Sequence, residues 1–92
     1  MELTGTIRDI HQTQTFGNNF QKREFILVTE EQYPQTLIIE ISADRVDLLD
    51  KFNPGDNVIV GINIRGREWI NPSGESKFFN SLSAWKITYN NL

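Results

Sequence analysis

Arg65, Arg67 and Trp69 stand two residues apart, and Lys77, Phe78 and Phe79 follow a short polar stretch, Asn71-Pro72-Ser73-Gly74. Phe20, Lys22 and Arg23 repeat the mixture of rings and cations earlier in the chain. Flat rings offer π-faces on which nucleobases stack, and cations spaced along a groove meet phosphates. Together these residues carry the chemistry for holding a single nucleic-acid strand with weak sequence preference. Each also has a plainer reading on its own. Phe25 and Leu27 read as core, Trp85 as packed, and Arg65 and Arg67 as solvated. Strand alternation expects one of Phe78 and Phe79 to point inward. The functional expectation rests on the cluster.

Catalytic constellations are missing. His11 is the one histidine, and the chain has no cysteine. That excludes disulfides, thiolate metal sites and cysteine nucleophiles. No glycine-rich phosphate loop is present. Glu30-Glu31 reads as a charged turn, and Asp44, Asp47, Asp50 and Lys51 read as the solvated face of a helix. The expectation is a non-enzymatic binding module with no cofactor, no metal and no small-molecule substrate. The alternative is a protein-binding adaptor without a nucleic-acid role, with an enzyme third.

The elements that must position these residues are bounded by size. Ninety-two residues form one domain, 1–92, with 38% hydrophobic and 23% charged side chains. A chain this small has a modest core, so self-association as a dimer or tetramer is expected. The net charge is −3, so any attraction to nucleic acid must be local. Residues 1–43 carry −3, residues 44–56 carry −2, and residues 57–92 carry +2. No run is long and apolar enough for a membrane span. Met1 to Gly5 lacks the pattern of a secretory signal, so a cytoplasmic location is expected.

Period-two alternation dominates the chain and predicts strands. They run from about Glu2 to Gln12, Phe20 to Thr29, Thr36 to Ser42, Asp56 to Trp69, and Lys77 to Tyr89. Gly5 in the first strand predicts a bend or a close backbone approach. Thr13 to Asn19 reads as a loop. In the fourth strand Val58, Val60, Ile62 and Ile64 share one face, opposite Arg65, Arg67 and Trp69. Between the third and fourth strands Val46, Leu49 and Phe52 recur every three residues and predict a helix. Ser42 would be its N-cap, Asp44 would favour its dipole, and Asn53-Pro54-Gly55 would stop it. Five strands with one short helix between strands 3 and 4 is the order of an all-β Greek-key OB-fold barrel. A five-stranded SH3-like barrel is the competing architecture.

Two resemblances add to this reading. Ile64 to Trp69, then Ser73-Gly74-Glu75 and Phe78-Phe79, resembles the strand-four to strand-five hairpin of bacterial single-stranded DNA-binding proteins. Phe52 to Val58 is similar to the helix exit of that family. Met1 to Gly5, Lys22 to Phe25, Glu31 to Pro34 and Phe79 to Lys86 resemble a small bacterial family of stand-alone OB domains, itself assigned as single-stranded-DNA-binding-like. The resemblance implies that Arg65, Arg67 and Trp69 serve the hairpin's DNA contacts. It also implies that Tyr33 lies near the position of a stacking tryptophan. Ser42-Ala43 departs from the pattern, which has an aromatic followed by glycine. No acidic tail follows the last strand, so the expected likeness is to the tail-less primosomal replication protein N type. The implied partner is single-stranded DNA, with RNA open.

Overall fold

The computed structural model describes residues 1–90, apart from the side chain of Asp44. The dipole role expected of Asp44 and the chain end at Asn91 and Leu92 lie outside the described residues. The alternating segments form β1 (Glu2–Ile10), β2 (Gln14–Phe16), β3 (Phe20–Thr29), β4 (Thr36–Ser42), β5 (Asn57–Ile70) and β6 (Ser76–Tyr89). The strands follow one another as β1-β5-β6-β4-β3-β2, and a β1–β3 pairing closes the ring. All pairings are antiparallel except β4 with β6, which meet in parallel at Glu40 and Ser83. This is a closed barrel with one helix between β4 and β5.

Among the described residues the strand count is six, not five. Gln14–Phe16, expected to be loop, pairs with Phe20–Lys22 and extends β3 into a hairpin. All three residues of β2 are exposed, so no apolar alternation marks it in the sequence. Asn19 turns this hairpin with a φ of 60°, a conformation asparagine tolerates better than most residues.

Ile7, Phe25, Leu27, Ile39, Ile41, Val58, Val60 and Ile62 fill the barrel. Each fully buried side chain of this size contributes about 1.5–3 kcal/mol relative to exposure. Gly5 makes the predicted close approach: a Cβ there would collide with the Val28 carbonyl oxygen. Only a residue without a side chain lets β1 serve β3 and β5 at once.

The helix spans Ala43–Lys51 and is a 3₁₀ helix. Three residues per turn put Val46, Leu49 and Phe52 directly above one another, and all three are buried against the barrel's end. Ser42 occupies the N-cap position in extended conformation but makes no side-chain capping bond. Ala43 enters the helix with a φ of 58°. The stop is as expected: Gly55 has a φ of 98° and donates its N–H to the Ile7 carbonyl at 2.7 Å.

Beyond Ile62 the β5–β6 ladder leaves the barrel and runs on as a two-stranded arm, from Ile64 opposite Leu82 to Ile70 opposite Ser76. At its tip the Asn71 Oδ1 accepts the N–H groups of Ser73 and Glu75 at 3.0 and 2.9 Å. The arm corrects two expectations. Ile64 does not share the burial of Val58, Val60 and Ile62; it is exposed. Neither Phe78 nor Phe79 points inward, because alternation on the arm has no interior to point into.

Candidate nucleic-acid interface

Cross-strand pairing sorts the arm into two faces. Arg65 lies opposite Ser81, Arg67 opposite Phe79, and Trp69 opposite Lys77. Directly opposed residues project from the same side of a sheet. One face therefore holds Arg65, Arg67, Trp69, Lys77 and Phe79 together. Trp69 is 44% and Phe79 46% exposed, and the Arg67 guanidinium carbon sits 5.2 Å from the Phe79 ring centroid. Among the described residues, Arg65, Arg67 and Lys77 form no ion pair. Phe78, 74% exposed, lies on the opposite face with Ile64 and Ile70. It does not join the arginines.

The cationic face continues onto the outer wall of the barrel. A groove of about 530 Å³ runs between Lys22 and Glu40 on one side and Arg65, Arg67 and Phe79 on the other. Lys22 thus meets the arm across space, as its composition suggested. Its charge is spoken for, however: its ammonium lies 3.5 Å from Glu40 and 4.0 Å from Glu24. Phe20 lies on the same side of β3, two residues before Lys22. It is half exposed, with its ring 6.3 Å from that of Phe16.

Two further predicted residues stand apart. Arg23 follows Lys22, so alternation turns it to the other side of β3. Its Nη1 donates to Asp50 Oδ1 at 2.7 Å and its Nε to the His11 carbonyl at 2.8 Å. It ties the helix to the end of β1 and offers no free cation to the groove. Tyr33 is exposed on the 30–35 loop, outside the groove's lining. His11 is a surface residue, 3.6 Å from Asp9. Among the described residues no cluster of three metal-ligating side chains occurs, and no helix is long and apolar enough to cross a membrane.

The sequence reading missed Glu40 and Ser81 as groove residues. Glu40 alternates with Ile39 and Ile41 as any outward residue does, and only the β4–β6 contact brings it to the arm. Glu24 faces it directly across the β3–β4 ladder.

The family model described as a domain of unknown function, DUF3127, matches residues 2–88. No curated protein matches the chain. Among solved structures the fold is similar to two crystal forms of the mitochondrial single-stranded DNA binding protein Rim1 from S. cerevisiae. The TM-scores are 0.72 and 0.73, at 15% identity, covering 97% of this chain and 91% of that one. The barrel is thus of the OB type seen in that protein.

Proposed function

This chain belongs to the DUF3127 family, and from that premise we propose that it is a non-enzymatic OB module that binds single-stranded nucleic acid, DNA foremost. The observation that carries the reading is the arm face with Arg65, Arg67, Trp69, Lys77 and Phe79, open to solvent and joined to the barrel wall by a groove. Bases stack on Trp69 and Phe79, and phosphates meet Arg65, Arg67 and Lys77. Two or three stacks of about 1–3 kcal/mol each, with a few phosphate contacts, suit micromolar affinity for one barrel.

The test is tryptophan fluorescence on titration with oligo-dT at low salt, with oligo-rU in parallel. Quenching that salt reverses is expected, and the double variant Trp69→Ala, Arg67→Glu should lose most of it. A flat titration of the folded protein at tens of micromolar would overturn the reading. It would leave the protein-binding adaptor, which the apolar arm face of Ile64, Ile70 and Phe78 favours. Self-association would use that same face. Sedimentation velocity of Phe78→Glu beside the parent reads it, and identical profiles at every concentration would remove the face from any assembly.

A further inference from the structure

Trp85 lies on the outer wall near the helix, outside the lining of the groove between Lys22 and the arm. Its exposure is built into the fold. Gly61 pairs with Lys86 and Ile62 with Ala84, so Trp85 is the extra residue of a bulge in β6. A bulge re-aims the side chain it carries. Ala84 faces the core, while Trp85 is 42% exposed. The indole lies across Gly61, where a Cβ would stand 2.7 Å from its Cε2 and 3.0 Å from its Nε1. A glycine at this point lets the ring settle onto β5; any other residue would lift it.

The surroundings of the ring are cationic. Arg45, at the start of the helix, donates from Nη1 to the Trp85 carbonyl at 3.0 Å. Arg45 and Arg65 line a groove of about 450 Å³ whose other walls include Asn63, Ser83 and Trp85. Among the described residues neither arginine forms an ion pair. Arg65 also lines the groove beside Arg67 and Phe79, so the two grooves share this residue.

We infer that this is a second nucleotide subsite, in which a base stacks on Trp85 and its phosphates lie between Arg45 and Arg65. The inference rests on the function proposed above and extends the path of the strand from the arm to the helix. Lys86 Nζ sits 5.1 Å from the ring and 2.8 Å from Glu2 in the free protein. A stacked base is a stronger partner for an indole than an exposed ammonium. Lys86 therefore gives way, keeping Glu2 or taking a phosphate. From Gly61 to Trp69 the extended chain covers about 27 Å, a span suited to several nucleotides on one barrel.

Trp69 and Trp85 are the two tryptophans of the chain, so Trp69→Phe leaves Trp85 as the sole indole reporter and keeps a ring on the arm. This variant is titrated with fluorescein-labelled dT12 at low salt, following probe anisotropy and, with unlabelled dT12, indole emission. The expected result is Trp85 quenching that tracks binding. Arg45→Glu in the same background should shift both curves to several-fold higher concentration. Binding with unmoved Trp85 emission would overturn the subsite and leave the arm reading intact. Binding by the parent chain but not by Trp69→Phe would overturn it too, since the Trp85 groove would then add too little to hold the strand. No binding by either chain would end both readings.

Discussion

Lys22 illustrates how neighbours decide what a cation can do. Glu24 and Glu40 face each other across β3 and β4, and like charges so placed repel. The Lys22 ammonium between them relieves that repulsion and reaches the groove already neutralised. Three cations, Arg65, Arg67 and Lys77, are then left for phosphates on the arm. Their release of counterions contributes roughly −2 to the slope of log K against log salt for a single strand. Replacing both carboxylates, Glu24→Gln with Glu40→Gln, should free Lys22, tighten oligo-dT binding and steepen the slope by roughly a further 0.7. An unchanged slope would take Lys22 out of the path. A second residue-scale effect concerns acid stability. The hydrogen bond from Lys86, and then its charge, hold the Glu2 carboxyl below its usual range. A lowered folded pKa gives stability that is present above the unfolded pKa and lost as pH falls through the folded one. The urea midpoint should therefore carry a small acid-side decline, below about pH 4.3, that Glu2→Gln removes. Equal pH profiles for the two chains would show that the contact does not bear on folding.

At the scale of elements, two glycines do different work in building the barrel and its wall. Gly5 lets β1 lie close against the Val28 backbone, a neighbour that cannot swing aside as a side chain can. Gly5→Ala should cost about 3 kcal/mol or more through overpacking, read as a lower denaturant midpoint at unchanged m-value. A loss below about 0.5 kcal/mol would mean that β1 can shift freely, contrary to its double pairing. Gly61 leaves room for the Trp85 indole and so shapes the outer surface rather than the core. The helix follows the same logic of spacing. Val46, Leu49 and Phe52 recur every three residues, and three residues per turn is the geometry that buries all of them on one side.

The whole molecule is a barrel with a ribbon standing out from it. Its extents are 51 × 34 × 19 Å and its radius of gyration is 14.8 Å, against about 12 Å for a compact chain of this length. No arm residue from Arg65 to Ser81 belongs to the buried core. Stability and binding should therefore separate. Replacing residues 65–81 with an Asn-Gly turn should leave cooperative unfolding with a near-parental midpoint and abolish oligo-dT quenching of the remaining Trp85. Retained binding would move the interface from the arm to the barrel wall; loss of folding would show that the arm supports the core. The outward position of the arm also explains its composition. An interior would have demanded alternation of apolar and polar residues, and a ribbon exposed on both faces could hold five cationic and aromatic residues on one side.

Much of this was legible in the residues. Alternation marked the strand faces that fill the barrel, because burial of one strand face demands period two, but it counted Ile64 among them. Val46, Leu49 and Phe52 marked the helix, Gly5 marked the close approach, and Arg65, Arg67 and Trp69 were placed on one face by their spacing alone. Other features depended on contacts distant in sequence. The short pairing of β2, the departure of the arm from the barrel, the neutralisation of Lys22 by Glu40, the capture of Arg23 by Asp50 and the bulge that turns Trp85 outward each require two separated segments to meet. Periodicity reports which way a residue faces along its own strand. What it faces is set by the partner strand, and tertiary packing alone chooses that partner.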